Sequence, residues 1–398
     1  MSISSSTADY LITRADAMLA DATTKQKVAG LSVAIVCEGK GIYLKGFGLA
    51  NIAQKRLVTP DTIFRVYSIS KTLTAIGLMQ LWEQGAFQLD DPVSRYLKAF
   101  TLTSPTDHDP PITFRHLLTH TAGLSAPPPS QLNDLLIKEG DRIPSAREYF
   151  TEGVTADMPA GMTFSYSNRG FAILGQLIED ISGEPYAQYM QRHVLGPLGM
   201  KQSQFALSKQ AGSRLAQGYR LKRGRLVPVE YLETTLSASS GLLSSANDMA
   251  KYVIALLDGG SHEHGTLLQP ETLHLMFQRH FEVDEGPPPA IGLGFRLDPI
   301  GSHRIVYHSG GGSGFMSTML LAPDDRLGMV ILSNTNVEMR YQPEYLARTL
   351  LDHVWNVSGT AAYLPQVRSR HFWLRVGSCA LVGFLMLLIA LLWRKLRQ

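Results

Sequence analysis

Ser68-Ile69-Ser70-Lys71 sits inside the run Phe64-Arg-Val-Tyr-Ser-Ile-Ser-Lys-Thr-Leu-Thr-Ala-Ile-Gly-Leu-Met-Gln-Leu81. From Ser68 onward the residues favour helix, and Leu73, Ile76, Leu78, Met79 and Leu81 are apolar. That spacing predicts a buried helix beginning near Ser68. On such a helix Ser68 and Lys71, three residues apart, leave the same face. The serine then stands at a helix N-terminus, beside N–H groups and the positive dipole end. A lysine one turn on can hold or take its proton, which is the chemical content of an S-x-x-K pair. Alone the pair is common, and a capped helix with an exposed lysine reads from it more readily.

Upstream, Leu11, Ile12, Ala15, Met18, Leu19 and Ala22 predict an amphipathic helix over residues 7–28. Residues 31–36 and 41–49 are β-rich, and Glu38-Gly39-Lys40 between them predicts a hairpin turn. Downstream, Leu89-Asp-Asp-Pro92 ends the helical run, and a short helix follows at 92–96. Thr113 caps another segment, carrying His116 and His120. Their i, i+4 spacing superficially suggests a metal pair, but the acidic neighbour and third ligand are missing, so structural histidines are expected. His262-Glu-His264 receives the same reading, and Pro127-Pro-Pro129 predicts a loop near a substrate entrance. Residues 145–257 read as mainly helical, with periodic segments at 170–182 and 185–194 and a capping box at Ser245-Ala-Asn-Asp248. β patterns return at 292–297, 304–308, 316–321 and 327–333, with a turn at Pro323-Asp-Asp-Arg326 and a closing helix at 343–357. The expected fold is α+β: one antiparallel sheet built from both ends of the chain, flanked by helices, with an inserted helical subdomain at roughly 72–250.

The 398 residues are 44% hydrophobic and 18% charged, an ordinary globular balance, and the net charge of +3 gives no sign of a nucleic-acid partner. Cys37 and Cys379 supply neither a disulfide framework nor a zinc site. Residues 376–393 form an uncharged run of 18 residues, with Trp373 and Trp393 near its ends. As a helix it spans roughly 27 Å against a hydrocarbon core of ~30 Å, which predicts a single C-terminal membrane anchor. The expected organisation is a catalytic domain over 1–357, a linker over 358–371, and a transmembrane helix with a short basic tail over 372–398. Arg368, Arg370 and Arg375 on one side balance Arg394, Lys395 and Arg397 on the other, so the charge rule leaves orientation open. The N-terminal residues lack a basic start and an apolar run. The catalytic part is therefore expected on the cytoplasmic face, or outside the cytoplasm if an export signal lies upstream.

Two further stretches carry chemistry. Ser165-Tyr166-Ser167-Asn168 lies in a Gly/Ser-rich loop leading into a helix, and residues two apart on extended backbone point to one side. There a phenol can shuttle a proton and an amide can bind a carbonyl or steady Lys71; a plain loop tyrosine and capping asparagine are the alternative. Tyr307-His308-Ser309-Gly310-Gly311-Gly312-Ser313-Gly314-Phe315 joins two expected strands. Its glycines let backbone approach a ligand, and their N–H groups can face an oxyanion; a flexible connection is the alternative.

Taken in order, Ser68-x-x-Lys71, Tyr166-x-Asn168 and His308-x-Gly310 resemble the serine β-lactamase and penicillin-binding protein superfamily, in particular its class C-like branch of β-lactamase-related serine hydrolases. Phe64-Arg65, Leu89-Asp-Asp-Pro-Val93, Arg115-His-Leu-Leu-Thr-His-Thr-Ala-Gly-Leu124 and Ser240-Gly-Leu-Leu-Ser-Ser245 extend the likeness over about residues 7–355. The resemblance implies that Ser68 forms an acyl-enzyme and that Lys71 and Tyr166 share the base role. It implies that Asn168, His308, Gly310 and Gly311 bind substrate, with the N–H groups of Ser68 and Gly311 as the oxyanion hole. No metal or cofactor is implied. His308 stands where β-lactamases and peptidases of the family usually carry lysine, a weaker anchor for a substrate carboxylate at neutral pH. The expected function is a membrane-anchored serine hydrolase of an amide, peptide or ester. The alternative is a slowly deacylating penicillin-binding or sensor-like protein without efficient turnover. No G-x-S-x-G pentapeptide supports an α/β-hydrolase.

Overall fold

The hairpin expected at residues 31–49 stands beside the late strand Leu327–Ser333, and this pairing decides the architecture. The computed structural model describes residues 5–25, 27–125, 136–138, 141–205, 214–283, 289–337 and 339–357. Helix α1 (Ser5–Thr24) leads into β1 (Gly30–Cys37), β2 (Lys40–Asn51) and the short β3 (Arg56–Leu57). Helices α2 (Ser70–Glu83), α3 (Phe114–Leu118), α4 (Asn168–Ser182), α5 (Ser237–Ser240) and α6 (Ala246–Leu257) follow. The chain then supplies β4 (Phe281–Glu282), β5 (Ala290–Ile291), β6 (Arg296–Leu297), β7 (Val306–Gly312), β8 (Phe315–Ala322), β9 (Leu327–Ser333) and α7 (Pro343–Trp355).

The nine strands form one antiparallel sheet in the order β4-β5-β6-β7-β8-β9-β1-β2-β3. β1 pairs with β9 from Leu31 opposite Ser333 to Cys37 opposite Leu327, so early and late segments of the chain lie side by side inside the sheet. Glu38 and Gly39 turn the first hairpin with left-handed φ values of 50° and 71°, the geometry of a two-residue primed turn. β1 is buried along its whole length because both its faces are covered. Leu31, Val33 and Ile35 pack with Leu11 and Leu19 of α1 and with Leu346 and Leu350 of α7. Ala34 and Val36, pointing the other way, join the core of the helical layer with Leu73 and Ile76 of α2 and Phe171 of α4.

Four expectations need correction. The helix near Ser68 starts later: Tyr67–Ile69 is a 3₁₀ turn, the α-helix begins at Ser70, and Tyr67 has a φ of +48°. The glycine run after His308 is no flexible connection. Gly310, Gly311 and Gly312 are strand residues of β7, opposite Ser317, Met316 and Phe315. Residues 215–244 are not mainly helical but hold the short strands Tyr219–Lys222, Arg225–Pro228, Leu232–Thr234 and Leu243–Ser244, the last paired with Phe64–Arg65. At Ser245 only half of a capping box forms. The serine hydroxyl accepts from the Asp248 N–H, while the Asp248 carboxylate accepts from the Gln202 N–H and the Ser203 hydroxyl. Among the described residues no helix is long and apolar enough to cross a membrane. The expected linker at 358–371, the anchor at 376–393 and the Pro127–Pro129 loop lie outside the described residues.

Candidate active site

The strained turn at Tyr67 and the glycine strand β7 fit against each other. A Cβ at Gly310 would stand 2.1 Å from the Val66 carbonyl and 2.9 Å from the Ser68 nitrogen, so only glycine permits this approach. The Ser317 hydroxyl, on the neighbouring strand, donates to the same Val66 carbonyl at 2.7 Å. Ser70 fixes the turn from the other side, donating to the Tyr67 carbonyl at 2.5 Å and accepting the Leu242 N–H at 3.0 Å. Ser68 is thereby held half-buried at the head of α2.

Lys71 is completely buried. Its ammonium donates to Asn168 Oδ1 at 2.7 Å, to the Ser239 carbonyl at 2.9 Å and to Ser68 Oγ at 3.3 Å. Nζ also lies 4.9 Å from the centre of the Tyr166 ring and 5.6 Å from that of Phe171. None of these partners is a carboxylate. Burial pushes the Lys71 ammonium below the ordinary lysine range, with the adjacent Tyr166 phenol opposing the shift.

Tyr166 and Asn168 reach the lysine because Ser167 ends the extended approach to α4. The Ser167 hydroxyl caps the helix by accepting from the Gly170 N–H at 3.1 Å, and its own N–H donates to His120 Nδ1 at 3.1 Å. The His120 ring packs against Tyr166 with centroids 4.5 Å apart. His116 accepts the Thr113 N–H at 3.3 Å in a capping box, so the i, i+4 histidines each serve the backbone. Among the described residues no group of three His, Cys, Asp or Glu side chains could hold a metal ion.

His308, on β7, has its ring 6.3 Å from that of Tyr166. Its Nδ1 lies 2.8 Å from the Ser309 carbonyl, which can only accept, so Nδ1 carries the proton. Burial first, then the charges of Arg296 and Lys71, push this imidazole well below the ordinary histidine range. His308 is therefore neutral at physiological pH and cannot act as a fixed cation. Gly311 is exposed in the cleft, where an added Cβ would meet only Met316 Cε at 3.9 Å.

Two contributors were not foreseen. Ser239, on α5, offers Lys71 a main-chain carbonyl, an interaction its sequence cannot advertise. Arg296, on β6, holds its guanidinium 5.1 Å from the centre of the Tyr166 ring. Its only signal was a cation within the apolar run Gly292-Leu-Gly-Phe-Arg-Leu297. Burial alone raises the Tyr166 phenol, but Lys71 and Arg296 outweigh it and bring the phenol below its ordinary range; hydrogen bonds from Lys71 and Ser68 act in the same direction. The site thus joins a half-buried hydroxyl, a desolvated amine and a cation-facing phenol across three separated stretches of chain.

The sheet, its two helical layers and this cleft define a β-lactamase/transpeptidase-like scaffold. The Beta-lactamase family model matches residues 15–352, and the chain belongs to that family. Protein flp of Staphylococcus aureus (strain MW2) is 27% identical over 351 residues, covering 87% of this chain and 68% of its own. The human Putative beta-lactamase-like 1 is 27% identical over 334 residues, covering 80% of this chain and 64% of its own. Among solved structures, the octameric penicillin-binding protein homologue from Pyrococcus abyssi superposes with a TM-score of 0.75 at 28% identity, covering 90% of this chain and 80% of its own. EstCE1, a hydrolase with promiscuous acyltransferase activity, shares the fold with a TM-score of 0.71 at 24% identity, covering 86% of this chain and 99% of its own.

Proposed function

We propose that the protein is a serine hydrolase that forms an acyl-enzyme through Ser68 and acts on an ester, amide or peptide. The observation that carries this reading is the 3.3 Å contact between Ser68 Oγ and the completely buried Lys71 ammonium. Ser68 Oγ adds to the substrate carbonyl carbon as its proton passes to the Lys71–Tyr166 pair. The resulting oxyanion faces the N–H groups of Ser68 and Gly311, as in the family. The pair returns the proton to the leaving alcohol or amine, whose bond to carbon breaks. Water then attacks the Ser68 ester, the pair takes a proton from the water, and Ser68 recovers it as the carboxylic acid departs. Asn168 orients Lys71 and the substrate carbonyl. Neutral His308 suits an uncharged substrate group better than a carboxylate, which favours esters and amides over carboxylate-bearing β-lactams.

A fluorophosphonate label and a panel of chromogenic esters, D-amino-acid amides and nitrocefin test this reading. Ser68→Ala is expected to abolish labelling and lower turnover by at least about a thousandfold, leaving only binding and oxyanion effects. Equal labelling of the variant overturns the assignment. Stable labelling at Ser68 without turnover of any panel substrate selects the slowly deacylating, sensor-like alternative. We further propose residues 372–398 as a membrane anchor. The full chain should sediment with membranes through a carbonate wash, and a chain ending at residue 357 should not.

A further inference from the structure

Lysine is absent from the third motif, so the positive charge it normally brings to the cleft must come from elsewhere or be missing. The groups packed around the Tyr166 ring answer this. Lys71 approaches from α2, His120 from the segment after α3, His308 from β7 and Arg296 from β6, at 4.9, 4.5, 6.3 and 5.1 Å. Burial holds both histidines neutral, His120 as well as His308. The cations facing the phenol among these groups are therefore Lys71 and Arg296. Lys71 is itself a proton carrier in the reaction, and its charge disappears whenever it gives up its proton. A guanidinium keeps its charge throughout the working pH range. Arg296 is also anchored by the sheet, since its backbone pairs with Tyr307, the residue before His308. A guanidinium over an aromatic face is attracted by the ring itself, and more strongly once the ring carries phenolate charge.

We propose that Arg296 is a positioning residue for the base: its guanidinium, held over the Tyr166 ring from β6, stabilises the phenolate that receives the Ser68 proton. It supplies from the neighbouring strand the fixed cation that His308 does not. This inference rests on the serine hydrolase reading. A unit charge about 5 Å away, in surroundings between protein and water, moves a titration by on the order of one to two pH units.

The test compares wild type, Arg296→Met and Arg296→Lys in turnover of a chromogenic ester across pH, and in ultraviolet difference titration of each protein against its Tyr166→Phe counterpart. Arg296→Met should lower kcat about tenfold near neutral pH with little change in KM. It should move the acid limb of kcat/KM upward by about one unit. The difference titration should show the Tyr166 phenol ionising at correspondingly higher pH, a readout that needs no turnover. Arg296→Lys should restore most of both shifts. In the Tyr166→Phe background, Arg296→Met should change the rate less than twofold. The inference is overturned if Tyr166 titrates unchanged in Arg296→Met, if Arg296→Lys behaves like Arg296→Met, or if the effect persists without the phenol. Should wild type and Ser68→Ala be equally inactive, the hydrolase reading fails, while the titration still decides whether Arg296 governs the phenol.

Discussion

Among the buried cations of the described residues, Arg348 and Lys71 are treated in opposite ways. Arg348, on α7, is 2% exposed and is met by two carboxylates, Asp298 at 2.9 Å and Glu344 at 3.1 Å. Lys71, on α2, is equally buried, but its partners are an amide, a main-chain carbonyl, the Ser68 hydroxyl and the Tyr166 phenol, with no carboxylate. Desolvation without a counter-ion weakens the ammonium's hold on its proton, whereas paired carboxylates fix the guanidinium's charge. The first arrangement suits proton transfer and the second suits joining α7 to the sheet. Equal burial therefore leaves these two cations in opposite electrostatic states, and their partners decide which.

Neutralising each cation in a similar volume sharpens that contrast. Lys71→Met is expected to lower turnover by at least about a thousandfold, since the nucleophile loses its adjacent base. Its Tm should stay level or rise, because a desolvated charge without a counter-ion is removed. Arg348→Met should do the reverse: roughly 3 kcal/mol less stability by denaturant titration, from two carboxylates left behind, with kcat near wild type. If Lys71→Met unfolds the protein while Arg348→Met abolishes turnover, the distinction is wrong.

The pH profile probes the same difference without mutation. Lys71 and Tyr166 are both held below their ordinary ranges, and the Lys71–Tyr166 pair must carry a free acceptor to take the Ser68 proton. Activity should therefore be present above the depressed titration and fall as pH drops through it. The acid limb of kcat/KM should lie well below pH ~10, where free lysine and tyrosine titrate. A limb at or above that value removes the case for desolvation as the activating device.

The contrast also explains what was legible in the sequence. Ser68 and Lys71 were readable because one helical turn joins them, β1 and β9 because largely apolar runs mark strands covered on both faces, and β2 because the Glu38-Gly39 turn announces its hairpin. Tyr166-x-Asn168 was readable as a pair because three residues of chain hold both side chains, and the structure places both against Lys71. Ser239 and Arg296 were hidden because their contributions, a carbonyl and a cation, depend on which distant elements the fold brings against α2 and α4. The 3₁₀ turn at Tyr67 was hidden too, since its left-handed φ is imposed by tertiary contacts and not by local preference. The glycines of β7 read as a loop because residues without side chains have no periodicity to display. Their strand register comes from Met316 and Ser317 across the ladder.

Those glycines give the finest test of the cleft, because neighbours in one strand face opposite demands. An added methyl at Gly310 points into the Val66 carbonyl and the Ser68 nitrogen, both backbone, so neither can yield cheaply. Gly310→Ala should cost roughly 1–3 kcal/mol and displace Ser68 enough to depress kcat. At Gly311 the methyl enters the open cleft and meets only the flexible end of Met316. Gly311→Ala should leave stability within about 0.5 kcal/mol of wild type, with a small gain equally consistent because alanine loses less chain entropy than glycine on folding. Its effect should fall on KM for bulky acyl groups, which share the space the methyl enters. Thermal denaturation of the two variants side by side decides the matter: equal losses would mean that β7 does not lie against the Ser68 turn in this register.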